Sequence, residues 1–564
     1  MASPTQLRID VGSDPPIPPI AALFLVNFDH RKGYTLGWHR TIENVQIEGV
    51  VEFKSLPSGL HNVEEDLVYF IHDDYAGLSA FVKKADEESE RSARMAAVGV
   101  LVPLEQGRIG RSWRHAISLQ QLARDQITDL KNTALLEEYW NRHKLQPDGS
   151  STKSPADANG QRSNGYRKAR SMSTATTFMP AQHKLMPHHP AATLLDAFRT
   201  FGPLLFPVYR AALLRKRILI VTDTPVEFCC NLVYNISILS SASESALSQL
   251  QSSAVPEPWL KPLYTVGVLD IPQLEETRRW IACTTDDVLS TKPNLYDVLV
   301  FMPLAGSEHA SPKAFPRIVH STPQLSKTFP STSIKASERD FSRFVHLQQA
   351  LHRYPRCHIG AGDTDEEQND DAASVSSHSS AYFDNKAVIE PASWSKVAYT
   401  SLVWWASAGD RRAGLTDAEE GECEQDLSLL QDEGDDQTQE VALVAYFHRM
   451  TERLFGTVAA AVARTDGEEV HEEYHDQIDG DEDALGESTI DHQTGSGDQE
   501  TEQLLSTKDG EPEIEITQED MAAMGLDSWS TSDKRFVEEF IQIWWGRKAA
   551  VHAAVIECCG LRIL

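Results

Sequence analysis

Arg215-Lys216-Arg217-Ile218-Leu219-Ile220-Val221-Thr222-Asp223-Thr224-Pro225 is the stretch that decides the fold. Residues 218–221 form an unbroken aliphatic run, the pattern of a strand covered on both faces in a parallel sheet. A helix start follows directly. Thr224 is a good N-cap, Pro225 stands at N1 where a missing N–H costs nothing, and Glu227 is placed at N3 to close a capping box. Cys229, Leu232, Val233 and Ile236 recur at helical spacing, so one helix face is expected to pack on the sheet. Strand, turn and helix in this order predict an α/β unit. Such a turn is where α/β proteins place a phosphate. This one has no glycine to bring the backbone close, it carries Asp223, and neither G-x-x-x-x-G-K-[ST] nor G-x-G-x-x-G is present. The turn therefore reads as structural.

Downstream, residues 263–269, 280–284 and 296–302 predict three more strands. The links between them are too short for every pair to be a full crossover, which predicts a mixed sheet. Upstream, 191–206 and 208–214 read as helices. Nearer the start, 21–28, 34–38, 67–71, 77–82 and 98–102 read as a meandering sheet. Residues 111–143 read as one helix, with Trp113, Ile117, Leu122, Ile127, Leu130, Leu135 and Tyr139 as its apolar contacts. The first part is thus α+β. Residues 144–177 are polar and nearly free of apolar side chains, a linker. Its Arg167-Lys168-Ala169-Arg170-Ser171 cluster suits a basophilic kinase as well as a plain solvated linker.

Residues 303–336 read as loop, and Ser337 with Asp340 opens a helix to Leu351. The aromatic stretch 393–407, with Trp394, Tyr399, Trp404 and Trp405, reads as a packing helix. Residues 441–463 and 521–554 read as further helices. The acidic runs 411–440 and 466–520 read as insertions too polar to fold alone. Deleting 466–520 is expected to leave folding intact.

A chain of 564 residues predicts two to four domains. Of its net charge of −31, residues 466–520 carry −20, from 21 acidic residues against Lys508, so −11 is left for a large body. That balance argues against nucleic acid, whose phosphates need clustered Lys and Arg. The seven cysteines are odd in number and lack a C-x-x-C pair, which fits neither a disulfide framework nor a zinc site. No leader peptide stands at the start, and no apolar run reaches the roughly 18–20 residues that span a bilayer. The expected setting is reducing and cytoplasmic. Asn235-Ile236-Ser237 is then a chance sequon on a buried helix.

Candidate reactive clusters are sparse. His183, His188 and His189 flank Met186-Pro187 without an acidic or cysteine partner at ligand spacing, so structural or solvent-facing roles are expected. Cys357 stands near His352 and His358, but a nucleophilic thiol needs a lowered pKa and a positioned base. A hydrolase built on Cys357 is the least favoured reading. No G-x-S-x-G elbow exists. No catalytic, cofactor-binding or metal-binding residue is singled out, and no cofactor is expected. Adjacent Cys558 and Cys559 could be palmitoylated, but burial as small apolar residues is preferred, and a prenylation box fails because Leu561 stands four from the end.

Several stretches together resemble the LCHN-type DENN proteins. They are Val51-Glu52-Phe53-Lys54-Ser55-Leu56-Pro57-Ser58-Gly59, Asp66-Leu67-Val68-Tyr69-Phe70, Arg94-Met95 with Val98-Gly99-Val100-Leu101, Phe201-Gly202-Pro203 through Ile220, Tyr264-Thr265-Val266-Gly267-Val268, Asp297-Val298-Leu299-Val300 and Glu557-Cys558-Cys559-Gly560. The resemblance implies a longin-like α+β domain over 18–143, a linker over 144–182, a central α/β DENN domain over 183–358, and a helical region over 381–564. It also implies a guanine nucleotide exchange factor for a Rab-type small GTPase in vesicle trafficking. Such a protein grips the switch regions in the groove between the first two domains, which displaces magnesium and loosens the nucleotide. That is catalysis by differential binding, so no single catalytic residue is expected. The alternative is a scaffold that binds a GTPase or a membrane partner without releasing nucleotide. Peripheral contact with an intracellular membrane belongs to both readings.

Overall fold

The computed structural model describes residues 17–29, 31–56, 58–85, 93–104, 108–146, 188–250, 256–304, 314–321, 333–354, 388–391, 427–428, 430, 438–478, 512–552, 557–558 and 561–562. Five strands open the chain: β1 (Ala22–Asp29), β2 (Gly33–Thr41), β3 (Glu65–His72), β4 (Tyr75–Ala85) and β5 (Ala93–Pro103). A four-residue helix, α1 (Val51–Lys54), sits between β2 and β3. The stretch expected as one helix at 111–143 is two, α2 (Ala116–Gln126) and α3 (Ala134–His143). The break follows from local competition: the Gln126 side chain donates to the Asp129 carbonyl at 3.0 Å, and Asp129 and Asn132 bond nearby backbone N–H groups. Two of the apolar contacts expected there are corrected, since Ile117 and Leu135 are exposed while Trp113, Ile127 and Tyr139 are buried.

Next come α4 (Leu194–Phe201), α5 (Leu205–Leu213), β6 (Ile218–Val221), α6 (Glu227–Leu239), α7 (Glu244–Leu247), β7 (Lys261–Thr265), α8 (Ile271–Glu276), β8 (Trp280–Thr284), α9 (Asp287–Ser290) and β9 (Val298–Phe301). Strands β7, β8, β6 and β9 lie parallel in that order. Helices as short as α8 and α9 suffice to cross between them. The region expected as loop at 303–336 contributes β10 (Arg317–His320) and β11 (Ser333–Ile334), both antiparallel, so the sheet is mixed as expected. Helix α10 (Glu338–Leu351) starts on the expected capping box of Ser337 and Asp340.

The two halves share one sheet of eleven strands, in the order β11-β10-β9-β6-β8-β7-β3-β4-β5-β1-β2. The seam is a single antiparallel bridge, Phe70 to Tyr264. Its brevity has a local cause. Strand β7 bulges between Pro262 and Tyr264, and Tyr264 takes a left-handed φ of 60°. The Phe70 ring lies over its cross-strand partner Gly77, where a Cβ would come within 2.3 Å of the ring.

Alternation along β6 divides the core. Ile218 and Ile220 face the large cluster that also takes in the helices, while Leu219 and Val221 join Leu263, Trp280, Leu289 and Leu299 on the other face. Helix α6 departs from the one-sided expectation. Every residue from Cys229 to Leu239 is buried, because α6 lies between the sheet and helices that come from both sides in sequence. Asn235 of the chance sequon is 2% exposed and donates to the Pro190 carbonyl.

The last part supplies α11 (Gln439–Ile478), β12 (Ile514–Ile516), α12 (Gln518–Ala523), α13 (Thr531–Trp544) and β13 (Ala549–Val551). Phe447 of α11 packs against Phe206 and Tyr209, and Phe455 against Phe540 and Trp544. The acidic insertion is therefore narrower than expected. Helix α11 runs to Ile478, and Ile514, Ile516 and Met521 are fully buried. Asp520 closes a capping box with Thr517 and pairs with Arg464. Deleting 466–520 removes these contacts, so the truncated chain is expected to lose soluble folded protein, as read by yield and size-exclusion profile. A yield equal to the intact chain would restore the original expectation. The aromatic stretch 393–407 lies outside the described residues. Among those residues, no helix is long and apolar enough to cross a membrane.

A candidate docking edge at the ends of the parallel strands

The capping box expected at Thr224 and Glu227 does not form. Helix α6 begins at Glu227, and its cap comes from Asp66 on β3. One Asp66 oxygen accepts from the Val226 N–H at 2.7 Å, and the other from the Glu227 and Leu67 N–H groups at 3.2 and 2.8 Å. A carboxylate at the positive end of a helix is favourable, and this one ties the first half of the chain to the second. Thr224, freed from capping its own helix, donates its hydroxyl to the Gly59 carbonyl at 3.1 Å. Gly59 has φ of 89°, a conformation glycine adopts without a Cβ penalty.

More bonds join the same two segments. Lys54 of α1 reaches the Asp270 carboxylate at 2.8 Å and the Ile71 carbonyl at 2.7 Å. The Ser58 hydroxyl donates to Asp286, which also accepts from the Val268 N–H at 3.2 Å. The loop after α1 is thereby fixed against the segments that follow β6, β7 and β8. These are the carboxyl ends of parallel strands, where open α/β sheets bind what they bind.

What this edge presents is apolar. Phe53 is 50% exposed, Val268 47%, Leu269 63%, Val288 47% and Leu304 73%. Five of the eight exposed large hydrophobic residues among those described thus lie on α1 or just past β7, β8 and β9. Carboxylates rim them: Asp223 and Asp287 are exposed and Asp286 half-buried. An exposed apolar patch with a polar rim marks a protein-docking surface.

Reactive chemistry finds no support here. The Cys229 thiol, in the first turn of α6, is pushed up to about 12 by burial. Its neighbour Cys230 approaches Cys283 at 3.9 Å, and Cys283 is raised by that contact and by burial. Thiols so held are poor nucleophiles. His188 stands 3.3 Å from Glu227, whereas His189 is buried edge-on to Trp113, with burial lowering it to about 4. Cys357, His358, His183 and Cys559, and the side chain of Cys558, lie outside the described residues. No group of three or more metal-ligating side chains occurs among those described.

Burial pushes the Asp66 carboxyl up to about 7, against the pull of its three N–H donors. A carboxyl raised in the folded state binds a proton that the unfolded chain has released. Its contribution to stability is therefore present in full below the unfolded value near 4 and is lost as pH rises toward 7. The slope from one such group approaches roughly 1.4 kcal/mol per pH unit. Asp533, discussed below, is raised in the same window, so the comparison that isolates Asp66 is native against Asp66→Asn. The stability advantage of the native chain over the variant is expected to shrink between pH 5 and 7 in urea unfolding. Parallel curves would show that Asp66 does not titrate there.

The strand expected over 263–269 takes in Val268 and Leu269, but β7 ends at Thr265. Their signal was an apolar pair held between Gly267 and Asp270, two residues that stop strands. Asp66 gave no such signal, since its partners lie 160 residues away.

The family model for DENN domain-containing protein 11 matches residues 23–312, just over half of the chain and all of this edge. The chain belongs to that family. A DENN domain is thus present within a mixed α/β fold. Relatives named DENN domain-containing protein 11 include those of Xenopus laevis, 33% identical over 288 residues, and Danio rerio, 32% over 287. Each alignment takes in 50% of this chain, and 59% and 53% of those relatives, so the chain spans little more than half of their length. A Saccharomyces cerevisiae relative, Uncharacterized protein ANR2, is 26% identical over 355 residues, 58% of this chain and 65% of its own. Residues 389–564 match a domain of unknown function, DUF4484.

Proposed function

We propose that this member of the family is an exchange factor for a Rab-type small GTPase, which it receives on the apolar edge formed by Phe53, Val268, Leu269, Val288 and Leu304. DENN-domain proteins generally act on Rab GTPases in this way. The observation that carries the reading is the row of exposed apolar side chains on α1 and just past β7, β8 and β9, on a frame tied together by Asp66, Lys54 and Ser58. In this reading the first five strands with α2 and α3 are the longin-like part, and the last helices are a support for the α/β part. The chain works in the cytosol, peripherally on an intracellular membrane.

Exchange needs no reactive side chain. A surface that binds the nucleotide-free GTPase more tightly than the nucleotide-bound form lowers nucleotide affinity by the same factor, since coupling is reciprocal. A preformed apolar face supplies that difference by fitting one arrangement of a mobile switch segment. The test is release of a fluorescent nucleotide from a panel of purified Rab proteins, with and without the full chain. Accelerated release from one of them supports exchange. Tight binding with no acceleration makes the protein a scaffold, and neither binding nor release ends both readings.

A further inference from the structure

At the amino ends of the same parallel strands, positive charge gathers without a counter-charge. Arg108, between β5 and α2, donates to the Ser241 hydroxyl at 2.6 Å, and its guanidinium carbon lies 5.1 Å from the centre of the Trp259 ring. Arg215, just before β6, is buried and donates to the Ser240 and Pro258 carbonyls at 3.2 and 2.9 Å. The two guanidiniums thus hold consecutive residues of the same two segments, 240–241 and 258–259. Arg279 joins them from β8. It directly precedes Trp280, which pairs with Lys261 at the start of β7, and Ile281 pairs with Ile218 of β6, so Arg279 stands at the strand ends between β6 and β7. What these cations lack is a carboxylate: among the described residues, none of the three forms an ion pair. Arg215 donates to four carbonyls, of Ala212, Ser240, Glu257 and Pro258. Such dipoles satisfy its N–H groups and moderate its charge without cancelling it. The Arg108 side chain makes the one bond to Ser241, and its Nε is buried with no partner. Arg279 is exposed. Burial, with the charges of Arg108 and Arg279, lowers Arg215 to about 9, against the pull of the exposed Glu257, and burial lowers Arg108. Like charges held close together act on one another in this way.

We propose that Arg108, Arg215 and Arg279 form a subsite for a phosphate group, with Arg108 and Arg279 as its ligands and Arg215 as the fixed charge behind them. A guanidinium presents paired donors that match phosphate oxygens, and a cluster of like charges favours a dianion over a monovalent carboxylate. The Ser241 hydroxyl orients Arg108, and the Trp259 ring offers its face to the cation. A half-buried cation without a counter-ion is costly, and a bound anion removes that cost. In a chain of net charge −31 the cluster is a local exception, which directs an anion to this corner. Two sources carry such a group, a soluble phosphate compound and the phosphorylated headgroup of a lipid, and the experiment separates them. The subsite lies at the strand ends opposite the proposed docking edge, so the inference stands without the GTPase reading.

Isothermal titration of the full chain with inorganic phosphate, at constant ionic strength and with acetate as the control, tests it. Phosphate is expected to bind about tenfold or more tighter than acetate. Arg108→Gln is expected to weaken phosphate binding about tenfold and Arg279→Gln several-fold, while Lys131→Gln, exposed between α2 and α3, leaves it unchanged. The Arg279 side chain is exposed, so its variant keeps the native fold and the test stands even where Arg108→Gln is unstable. Co-sedimentation with phosphatidylcholine vesicles carrying phosphatidylinositol 4-phosphate, beside vesicles of matched charge carrying phosphatidylserine, names the source. Preference for the phosphorylated lipid, lost in the same two variants, assigns the subsite to a headgroup. Phosphate binding without vesicle binding assigns it to a soluble compound. The proposal is overturned if the native chain prefers neither phosphate over acetate nor the phosphorylated lipid over phosphatidylserine, or if both arginine variants bind like the native chain. Nucleotide release is measured separately, so a chain that binds phosphate and releases no nucleotide fails the exchange reading alone.

Discussion

Replacing Arg210 with alanine is expected to cost about 3–5 kcal/mol, a large part of a domain's stability. Arg210 is a buried fork. It donates to both oxygens of Asp340, at 2.8 and 2.6 Å, and lies 3.2 Å from Asp533. These three residues sit on α5, α10 and α13, so one guanidinium holds together three helices drawn from 130 to over 300 residues apart. Burial works against its charge, and the carboxylates of Asp340 and Asp533 more than offset that. Asp340 is buried too, and Arg210 is the main charge that keeps it ionised. Burial pushes Asp533 up to about 7, with the nearby Asp340 charge adding to the rise. Without Arg210, two carboxyls face each other in the core with Arg343 only at 3.8 Å from Asp340. Asp340 also caps α10, so protonating it to relieve the repulsion weakens that helix start. Arg210→Lys is expected to rescue little, since an ammonium cannot serve both oxygens of one carboxyl and a second carboxyl as the planar guanidinium does. The measurement is the urea midpoint of the purified chain, with soluble yield beside it. A loss under about 1 kcal/mol would place the network among dispensable ion pairs.

Leu269→Glu is expected to reduce GTPase-directed activity by about 30-fold or more, the loss typical of a central docking residue. Leu269 is 63% exposed, so the free protein loses no core packing and its melting temperature should hold. The cost appears on binding, when a carboxylate is buried against an apolar partner beside Asp270 and Asp286. Kinetics separate the two effects. The concentration dependence of nucleotide release should shift strongly while circular dichroism and melting stay as in the native chain. Val288→Glu, on the segment after β8, should behave alike if both belong to one surface. Unchanged release in both variants would remove this edge from the reading while leaving family membership intact.

Local pattern made much of the architecture legible. The aliphatic run of β6, the helix that follows it and the capping box of Ser337 with Asp340 each depend on residues a few positions apart, and each formed. The short strands β10 and β11 escape sequence reading because residues 303–336 are rich in proline and serine, and the pairing of β10 with β9 and of β11 with β10 comes from tertiary contact. The apolar edge was missed for a related reason. Phe53, Leu269 and Val288 look like core residues in sequence, and burial is the ordinary fate of such side chains.

By itself the sequence determined the α/β class, the lack of a phosphate loop and the family likeness, because these rest on short-range periodicity, turn chemistry and motif. Only the tertiary structure decided that the two halves share one sheet, that Asp66 caps a helix 160 residues away, and that five apolar side chains are left in solvent at one edge. Each of those facts is a meeting of distant segments. Hydrogen-bond partners and solvent exposure are properties of the packed chain, and periodicity along it carries no record of them.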